Sequence, residues 1–289
     1  MTFLKAIPPP GLVLIAIVAI QVGAALAAHL FPTLGAVGTV AIRIIISAFV
    51  LVFFARSRIQ TFTQTFRENW RLLLGFGLCL AAMNVFFYQA IARIPLATTV
   101  AIEFMGPLGV AVLNSKKMSH FAWIALAAIG IALFSPLTGV DLDMVGVMFA
   151  LMAGIGWALF IVIASRVGQR IPGSDGLAIA MVIAAIVMIP FAIPVLPILV
   201  FNPLILFAAI GVALLSTTIP MTLEFEALKH LPARTYGVLV SLEPGVAATV
   251  GALLLGERMG VQGMIAVSCV VVAAIGITVT DRALTHTPK

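Results

Sequence analysis

Ala90-Ile91-Ala92-Arg93-Ile94-Pro95, running on to Glu103-Phe104-Met105-Gly106-Pro107, aligns without a gap on Ala227-Leu228-Lys229-His230-Leu231-Pro232, running on to Ser241-Leu242-Glu243-Pro244. Ala90, Pro95 and Pro107 return 137 positions later as Ala227, Pro232 and Pro244. Upstream, Gly23-Ala24-Ala25-Leu26 resembles Gly156-Trp157-Ala158-Leu159 at a spacing of 133. These strings lie within apolar runs of about 17–25 residues, the length that crosses a bilayer as a helix. The whole chain reads as ten such runs, at about 11–30, 35–55, 71–91, 96–113, 120–136, 143–165, 176–196, 203–224, 234–255 and 261–281. Five runs fall in each copy of the repeat, and an odd number forces the second copy into the membrane upside down. The expected fold is therefore an all-α membrane protein with ten transmembrane helices as two inverted five-helix repeats, residues 1–137 and 138–289. Inverted repeats of this kind are built into secondary transporters, which hold substrate between the copies near the midplane.

Composition agrees. Of 289 residues, 63% are hydrophobic and 9% charged, against roughly 45–50% and about 25% in soluble domains. There is too little polar surface to clothe a water-soluble globule, so the solvent for most of the chain is lipid. The run 11–30 is longer than the roughly 7–15 apolar residues of a signal peptide and reads as the first span. The net charge of +6 points to topology, not to nucleic acid. Lys5, Arg56, Arg58, Arg67, Arg71, Lys116, Lys117, Arg166, Arg170, Lys229, Arg234, Arg282 and Lys289 all fall on one side of the ten-span arrangement, and only Arg93 and Arg258 on the other. Cytoplasmic loops carry the excess of Lys and Arg, which puts both termini in the cytoplasm. Cys79 and Cys269 lie inside apolar runs without metal-type spacing and read as small buried hydrophobes. There is no G-x-S-x-G, H-E-x-x-H, C-x-x-C or P-loop, so no cofactor or metal is expected and a gradient must supply the energy. A polytopic enzyme or a channel would need an intramembrane catalytic cluster or a symmetric ring, and neither is visible.

Ionisable groups in lipid cost roughly 2.5 kcal/mol or more at a helix centre and usually face a cavity or a partner. Arg43, Glu103, Glu224, Glu226 and Glu243 qualify, with Gln21, Asn84, Tyr88, Trp157 and Tyr236 as polar or amphipathic company. Pro107 lacks the N–H that would bond the carbonyl of Glu103, and Pro244 does the same to Val240, so both mark helix breaks beside a carboxylate. Such broken backbone is tolerated where it lines a cavity. Asn84 and Tyr88 share one helix face, as do Tyr236 and Glu243. The candidate substrate-binding set is Gln21, Arg43, Asn84, Tyr88, Glu103, Trp157, Tyr236 and Glu243. Arg43 could grip a substrate carboxylate or neutralise a nearby glutamate. His29, His120, His230 and His286 read as interface residues. Gly23 with Ala27, Gly75 with Cys79, Gly154 with Ala158, and Gly109 with Leu113 read as faces for close helix packing.

Taken together, Gln21-Val22-Gly23-Ala24-Ala25-Leu26-Ala27, Ala41-Ile42-Arg43, Met83-Asn84-Val85-Phe86-Phe87-Tyr88, Ile102-Glu103-Phe104-Met105-Gly106-Pro107-Leu108, Leu223-Glu224 and Ser241-Leu242-Glu243-Pro244 resemble the drug/metabolite transporter superfamily, whose pattern is two EamA-type repeats. Within it the chain is most similar to the bacterial threonine and homoserine exporter branch. The resemblance implies a multi-pass inner-membrane antiporter that exports small amino acids by alternating access, coupled to protons. Neighbouring branches export aromatic metabolites or drugs, and the repeat motifs do not separate these cargoes. The oligomeric state is left open, and a monomer is compatible with everything read so far.

Overall fold

The first two apolar runs form one element. Helix α1, Pro9–Phe54, contains 46 residues, with helical geometry interrupted at Gly35 (φ 68°, ψ 161°). That conformation belongs to glycine, which has no Cβ to clash. A straight helix of this length would reach about 69 Å, more than twice the roughly 30 Å of a hydrocarbon core. The two arms, 9–34 and 36–54, instead fold back toward each other. Gln21 and Arg43 would be about 33 Å apart on a straight helix, yet both line one cavity.

These features come from a computed structural model that describes residues 7–54, 59–113, 118–133, 143–171, 175–228, 231, 236, 239–258 and 260–280. Among the described residues there is no strand. Helix α2 is Ile59–Ile91, bent at Asn69, where the expected span begins. Then follow α3 (Leu96–Glu103), α4 (Met105–Leu113), α5 (Met118–Ala132), α6 (Met144–Arg170) and α7 (Asp175–Ala192). A short 3-10 turn, Ile193–Val195, leads to α8 (Leu196–Phe201), and α9 (Pro203–Ala213) passes through a π turn, Leu214–Thr218, into α10 (Ile219–Leu228). The last two helices are α11 (Glu243–Leu254) and α12 (Val261–Thr280). Among the described residues five helical stretches are long and apolar enough to cross a membrane: α1, α2, α6, α7 through α8, and α9 through α10. Of the basic residues that set the expected orientation, Lys5, Arg56, Arg58, Lys116, Lys117, Lys229, Arg234, Arg282 and Lys289 lie outside the described residues, as do His230, Pro232 and His286.

Lipid-type solvation is written on the surface. Phe201 is 81% exposed and Leu204 82%, and Phe49, Ile155, Phe207 and Leu253 also point outward. The interior is instead rich in alanine and glycine, which lets helix backbones approach. Helices α2 and α6 pack antiparallel in a constant register: Arg93 meets Asp143, Phe86 stacks on Phe149, Cys79 Sγ donates to Gly156 O, and Phe76 contacts Phe160. Arg93 therefore lies at one end of this pair, with Arg71 and Arg166 toward the other. Helix α1 packs on α7, α9 and α10, α3 on α11, and α5 on α12.

The expected small-residue faces divide. A Cβ on Gly23 would stand 2.8 Å from Ser216 Cβ, and one on Gly154 2.8 Å from Glu103 O. Gly75 and Gly109 meet nothing within 4 Å among the described residues, while Cys79, the partner of Gly75 in its expected face, does approach Gly156 O of α6.

Candidate functional site

The break between α3 and α4 places the first carboxylate. Helix α3 ends at Glu103, a single residue, Phe104, intervenes, and α4 starts at Met105 with Pro107 in its first turn. The carbonyl that Pro107 cannot bond lies against Gly154 of α6. In the second half, Leu242 N–H donates to Leu239 O at 3.0 Å in a turn, and α11 then starts at Glu243 with Pro244 in its first turn. Pro244 thus opens a helix, the position where its missing N–H costs least. Glu103 and Glu243 are both 7% exposed.

Between these two breaks lies a cavity of about 260 Å³. All eight side chains of the candidate set line it: Gln21 and Arg43 from the two arms of α1, Asn84 and Tyr88 from α2, Glu103 from α3, Trp157 from α6, and Tyr236 with Glu243 from the segment around α11. Ser216, Glu224, Met83, Phe87 and Phe160 complete much of the wall. Tyr236 donates a hydrogen bond to the Glu224 carboxylate. Trp157 meets Phe104 edge to face, with centroids 5.6 Å apart.

Arg43 is held by neutral partners. One guanidinium nitrogen donates to Ser216 Oγ at 3.2 Å and Thr217 Oγ1 at 3.3 Å, the other to Asn84 Oδ1, and the group lies 4.8 Å from the Tyr88 ring centroid. Asn84 is oriented for this because its Nδ2 donates to Leu80 O at 2.8 Å. Among the described residues Arg43 makes its hydrogen bonds to neutral groups and forms no ion pair with a glutamate, unlike the expected alternative in which it neutralises one. Its charge is instead spread over hydroxyls, an amide and a π face, which offsets part of the desolvation cost of burying it.

Ser216 was not singled out from the sequence. It sits in the π turn, and wide turns of this kind rotate side chains out of ordinary helical register, often at functional sites. The run Ser216-Thr217-Thr218 inside an apolar stretch was the available signal. Ser216 Oγ donates to Val212 O at 2.6 Å, so its proton is committed and its lone pair faces Arg43. Three buried polar groups on the cavity wall have no hydrogen-bond partner: Gln21 Oε1, Arg43 Nε and Tyr88 Oη. Buried polar groups are ordinarily paired, and these three have free capacity for a polar solute.

Over 280 residues, 95% of this chain and 92% of the other, the sequence is 39% identical to the threonine/homoserine exporter RhtA of Salmonella typhimurium (strain SL1344). The chain belongs to the EamA-like transporter family. Residues 144–279 match that family directly. The RhtA exporter of Escherichia coli (strain K12) is 37% identical over 279 residues, 95% of this chain and 92% of the other. The uncharacterized transporter YwfM of Bacillus subtilis (strain 168) is 26% identical over 226 residues, 74% of this chain and 76% of its own. A solved crystal structure of another protein superposes with a TM-score of 0.60 at 16% identity, over 94% of this chain and 98% of that one; at this identity the likeness concerns the fold alone. The exporters among these relatives are transporters, not enzymes, and this EamA chain is a membrane protein.

Proposed function

We propose that the chain exports small amino acids, threonine and homoserine among them, across the bacterial inner membrane by alternating access coupled to protons. The observation that carries this is the cavity's charge pattern, in a chain 39% identical to an exporter of those substrates. One wall offers a guanidinium with a free Nε–H, an amide and a phenol; the rest carries Glu103, Glu224 and Glu243. A zwitterion fits both: its carboxylate meets Arg43 and its ammonium meets the acidic residues. With three carboxylates against one guanidinium, positive charge is what the site lacks, and a substrate ammonium and protons are the two ways to supply it in turn.

The proposed frame is ten spans as inverted repeats over 1–137 and 138–289, with both termini cytoplasmic and no requirement for a second subunit. Its support is the pairing of corresponding elements: α3 packs on α11 and α5 on α12, and a proline-marked helix boundary lies beside a glutamate in each half. A second reading keeps the transporter and changes the cargo to aromatic metabolites or cationic drugs, favoured by Phe87, Tyr88, Trp157, Phe160 and Tyr236 around the cavity. Counterflow in proteoliposomes separates them. Labelled threonine and homoserine should exchange saturably and respond to an imposed proton gradient. Exchange confined to phenylalanine or a cationic drug would replace the first reading with the second, and an unsaturable, ohmic flux would indicate a channel.

A further inference from the structure

We infer that the Gln21 amide and the Tyr88 hydroxyl read the side-chain hydroxyl of the substrate; this rests on the amino-acid reading above. Gln21 is 2% exposed and Tyr88 1%, both line the same cavity, and Gln21 Oε1 and Tyr88 Oη are both without a hydrogen-bond partner. Ser216, whose side chain neighbours the Tyr88 hydroxyl on the cavity wall, has its own proton committed to Val212 O. What remains unpaired is complementary to an alcohol, which donates one hydrogen bond and accepts another. The substrate O–H donates to Gln21 Oε1 and accepts from the Tyr88 O–H. Arg43 Nε–H, the third unpaired group, is left for the substrate carboxylate. Gln21 has three rotatable side-chain bonds, so its amide can follow a β- or a γ-hydroxyl.

The consequence is discrimination by penalty. A substrate with a methyl group in place of the hydroxyl enters the same space but leaves an acceptor and a donor buried and unpaired, and a site built to bind a hydroxyl rejects such an analogue strongly. Threonine against valine and homoserine against norvaline are the two pairs that differ in this way alone.

The test is counterflow of these four amino acids in proteoliposomes carrying the full-length wild type, Gln21→Leu, Gln21→Glu and Tyr88→Phe. Tyr88→Phe keeps the ring beneath Arg43 and removes only the hydroxyl. The wild type should favour the hydroxylated member of each pair. Gln21→Leu and Tyr88→Phe should each reduce that preference about tenfold, the worth of one net hydrogen bond, read as the ratio within each pair. Gln21→Glu, which keeps an acceptor, should retain the preference. The inference is overturned by a wild type that does not distinguish the pairs, by variants that keep the wild-type ratio, or by variants that lose both members in equal proportion. Should Gln21→Leu not insert, Tyr88→Phe and Gln21→Glu decide by the same criteria. A wild type that moves neither threonine nor homoserine removes the amino-acid reading itself, and this is seen before any variant is made.

Discussion

Arg43 is buried in an apolar bundle and, among the described residues, is held by neutral groups, and what surrounds it decides what it can do. Asn84, Ser216 and Thr217 occupy its terminal nitrogens while Nε stays free, so it is anchored by one edge and available by another. Glu103, at the broken end of α3, is an acidic group lining the same cavity. Replacing Glu103 by Gln keeps the shape and removes the charge. Threonine counterflow should fall by about 10–100-fold, the worth of a charge-assisted hydrogen bond, while the protein still elutes as a single folded species from size exclusion. Undiminished exchange would take Glu103 out of the mechanism. The residues of this site were legible because ionisable and amide side chains are rare in a chain that is 9% charged, and each rarity in lipid asks for a reason. Ser216 was not, because a serine costs little in a helix and only the π turn aims it at Arg43.

At the scale of elements, close approach is what holds the broken helix. Gly154 lies against the Glu103 carbonyl, and a Cβ on Gly106 would collide with the Gly154 carbonyl in return. Gly154→Ala should therefore destabilise by about 1–3 kcal/mol through overpacking, whereas Gly75→Ala, with nothing within 4 Å, should not; equal melting temperatures for the two in detergent would refute the contact's importance. Helix ends outside the membrane carry their own electrostatics. Asp143 caps α6 by accepting from Val145 N–H at 2.8 Å and from Arg93 at 3.1 Å, and these bonds hold its carboxyl below the usual carboxylate range. A carboxyl lowered in the folded state contributes its full stabilisation above its unfolded value, about 3.9, and loses it as pH falls through the folded value. Asp143→Asn should thus melt below the wild type at pH 7, with the gap closing as pH falls through and below the usual carboxylate range; a gap independent of pH would contradict the assignment. At the other junction, Leu96 N–H donates to Glu257 Oε1 at 2.8 Å, so the loop after α11 caps the helix that ends at Glu103. Burial pushes the Glu257 carboxyl up, against the backbone bonds from Leu96 and Ala97 that pull it down.

For the whole molecule, the sharpest expectation concerns orientation. Single cysteines placed at the two termini of a variant lacking Cys79 and Cys269 should both be shielded from an impermeant maleimide in intact spheroplasts and labelled after lysis, and one introduced beside Arg93 should label in intact spheroplasts. Labelling of both termini before lysis would reverse the orientation, and labelling of one alone would overturn the even number of spans and the proposed inverted-repeat frame with it. By itself the sequence determined that this chain is helical and lives in lipid, and which few polar residues need explaining, because apolar run length and the cost of a charge in hydrocarbon are local properties. Only the tertiary structure decided that α1 folds back at Gly35 so that Gln21 and Arg43 share one cavity, that Arg43 is satisfied by neutral groups instead of a glutamate, and which polar atoms are left unpaired. Those outcomes depend on one backbone conformation and on contacts between helices far apart in the chain, which no spacing along a single helix encodes.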